Sequence, residues 1–163
     1  SRHGKGSSFS VLIPLARFTE ASASGLKAEP LAIAPAFFDG LRVLVIDNEE
    51  PVQESMRALL ERWGCMVATA GSAADAVAHC SGTDIILADF HLDENLTGCQ
   101  AVCAVRRHFG RDIPAAIITA DRSDETRRLI SAQYLPVLNK PVKPNRLRAL
   151  VSSLATSLNS ESQ

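Results

Sequence analysis

Ile85-Ile86-Leu87-Ala88 is an unbroken apolar run set between Asp84 and Asp89. A strand with one wet face alternates apolar with polar residues, whereas a continuous run of this length needs cover on both faces, as in a parallel sheet sandwiched by helices. Val43-Leu44-Val45-Ile46 repeats the pattern and runs into Asp47, Ala116-Ile117-Ile118 runs into Thr119, and residues 135–138 lead to Lys140 and Pro141. Open α/β sheets keep their chemistry at the carboxyl ends of such strands. An acid, an acid, a hydroxyl and an amine are therefore expected at one rim of one sheet.

From Leu41 onward, short β-type runs alternate with amphipathic helical stretches five times, the mark of an α/β, (βα)5 doubly wound five-stranded parallel sheet. Strands are predicted at 42–46, 66–70, 84–88 and 135–138, with the fourth of the five starting after Pro114. Val52, Met56, Leu59, Leu60 and Trp63 recur at helical spacing after Pro51, and Gly64 stops that helix. Ser72 and Ser123 are placed to cap the second and fourth helices, and Pro144 opens the fifth. The third helix carries Cys99, Val102, Cys103 and Phe109 on its apolar side and breaks at Gly110.

Residues 1–40 differ in character. Phe9, Val11, Ile13 and Leu15 read as one amphipathic strand, and residues 19–40, rich in Ala, Ser, Pro and Gly, read as a linker. A chain of 163 residues, 46% hydrophobic, has room for one well-buried domain, expected at 41–158, and residues 159–163 read as a disordered tail. The absence of an initiator Met is consistent with a fragment.

Composition narrows the function classes. A net charge of −1 gives no field to gather nucleic acid or an anionic membrane. No apolar stretch approaches the roughly 20 residues that span a bilayer, and no secretion signal opens the chain, so a cytoplasmic location is expected. Cys65, Cys80, Cys99 and Cys103 lack paired spacing for zinc or disulfides and read as small packing residues. His79 and His108 sit at helix ends, and Arg106, Arg107, Arg146 and Arg148 read as solvated helix faces.

The rim residues suit phosphoryl transfer. A phosphorylated donor presents an electrophilic phosphorus with charge on three equatorial oxygens, so an acceptor needs a nucleophile, a divalent cation and fixed donors. Asp89 is the natural nucleophile, forming an acyl phosphate. Asp47 supplies affinity for Mg²⁺, which takes one or two carboxylates with water and carbonyl oxygens. Lys140 and the Thr119 hydroxyl can each hold a phosphoryl oxygen.

Taken together, Val43-Leu44-Val45-Ile46-Asp47-Asn48-Glu49, Ile85-Ile86-Leu87-Ala88-Asp89, Ile117-Ile118-Thr119-Ala120 and Asn139-Lys140-Pro141 resemble the response-regulator receiver domain of two-component signalling. The resemblance implies a flavodoxin-like strand order 2-1-3-4-5, with Asp89 as phosphoacceptor, Thr119 as switch hydroxyl and Lys140 as phosphoryl partner. It further implies a metal site of Asp47, Asp89 and the His91 backbone carbonyl, the His91 imidazole facing solvent, and a cis peptide before Pro141.

Three departures stand out. Receivers carry two adjacent acids after the first strand, and here the second is Asn48, followed by Glu49. Either the Asn48 amide oxygen replaces a carboxylate, our first choice, or Glu49 swings in. The place of the switch aromatic is held by Val137, and the loop after Asp89 adds Asp93, Glu94 and Asn95.

Gly4-Lys5-Gly6-Ser7-Ser8-Phe9 and Val11-Leu12-Ile13-Pro14-Leu15 resemble the closing strand of a histidine-kinase ATP-binding domain, over residues 1–18. That implies the receiver of a hybrid sensor kinase without its kinase core, with that core in cis or a histidine phosphotransfer protein as partner, no nucleic-acid or membrane contact, and a homodimer left open. The alternative is a receiver-like interaction module that no longer turns over phosphate, which Asn48 and Val137 keep in play. A flavin protein of the same architecture is disfavoured, because Asp-Asn-Glu-Glu after the first strand is no phosphate cradle.

Overall fold

In a computed structural model, residues 38–79, 81–92 and 96–160 are described, without the side chains of 159 and 160. The strand expected at residues 9–15, nearly all of the expected linker, the acidic loop residues 93–95 and Cys80 lie outside them.

Strands and helices alternate: β1 Arg42–Ile46, α1 Glu50–Glu61, β2 Met66–Ala70, α2 Ala73–His79, β3 Ile85–Asp89, α3 Gly98–Phe109, β4 Ala115–Thr119, α4 Asp124–Ser131, β5 Val137–Asn139 and α5 Pro144–Ser160. All strand pairings are parallel, in the order β2-β1-β3-β4-β5. The fold is thus the flavodoxin-like α/β sheet that the sequence pattern and the resemblance imply.

Strand alternation sorts the core into two layers. Leu44, Ile46, Ile86 and Ile117 face one side with Val102 and Val105 of α3 and Ile130 of α4. Val43, Val45, Ile85 and Leu87 face the other, with Leu60 of α1 and Leu147 and Val151 of α5. Ile85 through Ala88 are all fully buried, each large side chain contributing about 1.5–3 kcal/mol. Double-sided burial is why β3 can occupy the centre.

Caps act where the sequence places them. The Ser72 hydroxyl accepts from the Asp75 amide at 3.1 Å, and Ser123 accepts from Thr126 at 3.2 Å. Thr97 and Gln100 form a capping box on α3, which ends at Gly110 with φ +63°.

Four boundaries differ from the sequence reading. α5 runs on to Ser160, into the stretch expected as a disordered tail, and residues 161–163 lie outside the described residues. β3 is shifted one residue to 85–89, so Asp89 is its last member. β5 is the short Val137–Asn139 instead of 135–138: Tyr134 turns the chain at φ +54°, and Pro136, which lacks an N–H, meets the ladder only as an acceptor from Ile117. The packed domain also starts before residue 41. Phe38 is buried, its ring centroid is 6.2 Å from that of Trp63, and its amide donates to the Trp63 carbonyl at 3.2 Å, while Gly40 bonds Gly64 at 3.1 Å.

Phe38→Ala is accordingly expected to lower unfolding free energy by about 3 kcal/mol. Urea denaturation reads this directly, and a loss below about 0.5 kcal/mol, the scale of an ordinary surface change, would return residues 38–40 to the linker.

Candidate functional site

Parallel strands bring all their carboxyl ends to one edge, and the register sets their level. Ile46 pairs with Ala88, so Asp47 and Asp89, one step beyond each, stand side by side. Asp89 pairs with Ile118, and Thr119 pairs with Asn139, which places Thr119 and Lys140 at the same edge. Asp47, Asp89 and Thr119 are all buried.

Lys140 joins the two acids. Its Nζ lies 2.6 Å from Asp89 Oδ1 and 3.2 Å from Asp47 Oδ2, so one ammonium spans carboxylates 42 residues apart in sequence, read from their positions 47 and 89. The remaining oxygens are held by the backbone: Asp89 Oδ2 accepts from the His91 amide and Asp47 Oδ1 from the Glu49 amide, both at 2.9 Å. Gln53 Nε2 donates to the Asp47 carbonyl at 2.6 Å. The peptide before Pro141 is cis, as the resemblance implies.

Burial alone would pull the Lys140 ammonium below its ordinary 10.5, and it is the largest single influence. The hydrogen bond and charge of Asp89, followed by those of Asp47, together outweigh it and leave the Lys140 pKa raised.

Thr119 belongs to a second network that sequence reading missed. Its Oγ1 accepts from the Asp121 amide at 3.0 Å. Asp121 in turn accepts from the Thr126 hydroxyl at 2.7 Å, the Ser123 hydroxyl at 3.1 Å and the Ser123 amide at 2.8 Å. Those bonds, Thr126 first, hold the Asp121 carboxyl below the ordinary carboxylate range. A path of hydrogen bonds thus links the Thr119 hydroxyl to the start of α4. The available signal was the spacing Thr-x-Asp-x-Ser-x-x-Thr, an Asx turn running into a capped helix.

Gly98 was also missed. A Cβ there would drive into the Asp89 carbonyl oxygen, and the Gly98 amide donates to Phe90 at 2.9 Å. Only glycine lets α3 start against the strand end that carries Asp89.

The remaining site residues lie at the rim. Asn48 and Glu49 are exposed, and Glu49 is the residue before α1 without a side-chain cap. The His91 imidazole is 63% exposed, as expected, with Nε2 3.8 Å from Asp121 Oδ2. Val137 is exposed too. Burial pushes the Cys65 and Cys99 thiols up to about 11, which suits packing rather than reactivity. Arg106 is not simply solvated: its guanidinium donates to the Ile113 carbonyl at 2.8 and 3.0 Å and meets Asp112 at 2.9 Å.

Two buried carboxylates facing one space fit a hard divalent cation that needs few protein acids. Among the described residues no larger cluster of His, Cys, Asp or Glu is placed to hold a metal. None of their helices is long and apolar enough to cross a membrane.

Comparison with known proteins agrees with this geometry. A family model described as the response regulator receiver domain matches residues 43–152. The sensor histidine kinase AruS of Pseudomonas aeruginosa is 35% identical over 164 residues, covering 97% of this chain and 16% of its own length. This chain therefore spans only about a sixth of that relative. Among solved structures, chemotaxis protein CheY4 of Vibrio cholerae superposes with a TM-score of 0.64 at 24% identity, over 71% of this chain and 98% of that one. The anti-anti-sigma factor PhyR of Bartonella quintana gives 0.63 at 26%, over 76% and 50%.

The raised Lys140 pKa has a signed consequence for stability. Its contribution is fully present below the unfolded value near 10.5 and is lost as pH rises through the higher folded value. The stability difference between the parent and Lys140→Met should stay level from neutral pH to about 10 and shrink above that. Paired urea titrations across that range check it, and a difference that grows with alkalinity contradicts the ion-pair assignment.

Proposed function

The chain belongs to the response regulator receiver domain family, and from that premise we propose that it accepts a phosphoryl group from a phosphohistidine onto Asp89. The observation that carries this reading is the Lys140 ammonium in contact with both Asp89 and Asp47 at the carboxyl edge of the sheet.

In this reading an Asp89 carboxylate oxygen forms the bond to phosphorus as the donor's P–N bond breaks, and the imidazole nitrogen departs with that electron pair. Lys140 pairs with an equatorial oxygen of the transferred group. The Thr119 hydroxyl, which accepts from the Asp121 amide, still has its own proton to donate to another. Drawing Thr119 inward would loosen its bond to Asp121 and carry the event to α4. With Val137 in the place of the aromatic, this hydrogen-bonded path is our route for the relay.

A bound Mg²⁺ supplies neutralisation of the phosphoryl charge. Asp47, Asp89 and the His91 backbone carbonyl would hold it, completed by the Asn48 amide or by Glu49. Asn48 brings no charge, so the cation should be held less tightly than with a third acid.

The parent protein is proposed to be a hybrid sensor histidine kinase. Supporting this, the likeness to AruS covers 97% of the chain and so reaches upstream of the receiver match at residue 43. The partner is then the kinase core in cis or a histidine phosphotransfer protein, in the cytoplasm. The competing reading, an interaction module without phosphate turnover, rests on Asn48 and Val137.

Acetyl phosphate with Mg²⁺ separates the two readings. Intact-mass measurement should show a gain of one phosphoryl group, absent in Asp89→Asn; an unmodified parent protein would remove the phosphoacceptor assignment. In calorimetric titration Asn48→Asp should tighten Mg²⁺ binding about tenfold, and unchanged affinity would move Asn48 away from the ion.

A further inference from the structure

A cleft of about 350 Å³ opens between α4 and the turn from β5 into α5. Five of its seven lining residues are cations, Arg122, Arg127, Lys140, Lys143 and Arg146, and the other two are Asn139 and Pro141. Lys140 is held by Asp47 and Asp89, neither of which lines the cleft. The side chains of the other four cations form no ion pair among the described residues, and all four are exposed. A single exposed cation is screened by solvent and needs no explanation. Four around one concavity without a carboxylate, in a chain whose net charge is −1, concentrate a positive field at one place.

The start of α5 strengthens that field. This helix begins at Pro144, directly after Lys143, runs for 17 residues and carries no acid in its first turn. The positive end of its dipole is therefore not offset by its own side chains.

Size, lining and charge together select the guest. Clefts that take small ligands start at about 300 Å³, so this one suits a small molecule. No large apolar or aromatic side chain lines it, so charge and hydrogen bonds, rather than apolar burial, must hold the occupant. One phosphate group carries a charge of about −1.5 to −2 at neutral pH and would answer only half of four positive charges, whereas two linked phosphates answer all of them. Three of the four free cations are arginines, whose planar fork pairs with two phosphate oxygens at once, and Lys143 adds a point charge.

We infer that this cleft binds a diphosphate group, the chemistry shared by inorganic pyrophosphate and a nucleoside diphosphate. Arg122, Arg127, Lys143 and Arg146 would hold its oxygens, beside the phosphoacceptor pocket and outside it. The inference stands or falls separately from phosphoryl transfer, because nothing in it uses Asp89.

Isothermal titration calorimetry of the full chain without added Mg²⁺ tests it, with pyrophosphate, ADP and orthophosphate as titrants. Pyrophosphate should bind at least about tenfold more tightly than orthophosphate, and added salt should weaken its binding. Arg127→Ala combined with Arg146→Ala should lower pyrophosphate affinity about tenfold or more, and Arg122→Ala combined with Lys143→Ala should do the same. Arg107→Ala removes an exposed cation from α3 and should change affinity less than about twofold. Unchanged melting temperatures confirm that the variants fold. ADP binding at least as tightly as pyrophosphate assigns the nucleotide as ligand, and weaker ADP binding assigns the inorganic ion. The inference fails if the parent does not bind pyrophosphate, if orthophosphate binds as tightly, if Arg107→Ala weakens binding as much as either paired variant, or if a thymidine oligonucleotide binds more tightly than both diphosphates.

Discussion

One ammonium group between two buried carboxylates organises this edge of the molecule. Asp47 and Asp89 are almost wholly shielded from water, and two like charges so placed would repel strongly without a cation between them. Removing one partner from a buried pair costs about 3–5 kcal/mol, a large part of a domain's net stability of about 5–15 kcal/mol. Lys140 therefore stabilises the fold while holding both acids toward one space. A phosphoryl group arriving at Asp89 would compete for that same ammonium, which ties stability and proposed chemistry to one side chain.

The sheet makes such a site affordable. Burial on both faces of β1, β3 and β4 gives a rigid platform whose strands all end at one edge, so groups far apart in sequence meet without any loop having to fold over them. Main-chain amides complete the arrangement: His91 and Glu49 hold the second oxygens of Asp89 and Asp47. Among the described residues no buried side-chain nitrogen or oxygen lacks a partner. Close approach adds a further constraint, because Gly98 leaves no space for a side chain between α3 and the Asp89 carbonyl.

Much of this was legible from residue order. Unbroken apolar runs marked double-faced burial, and the polar residues ending them marked the rim, so Asp47, Asp89, Thr119 and Lys140 stood out together. Ser72 and Ser123 were readable as caps because N-capping is local chemistry. Asp121 escaped notice because its importance comes from four hydrogen bonds made in a folded turn. Arg106 looked solvated on a helix face, yet Ile113 and Asp112 approach it from outside α3. The start of β5 was misjudged because Leu135 is buried like Leu138, and hydrophobicity reports burial rather than ladder membership.

Sequence alone determined the alternation of strands and helices, the two-faced burial of the central strands and the set of reactive groups at their ends, since periodicity and adjacency act over a few residues. Only the tertiary structure decided that Lys140 bridges both acids and that Thr119 is tied through Asp121 to α4. Those relations depend on register and crossover between segments distant in the chain, and distances of that kind exist only once the sheet is assembled.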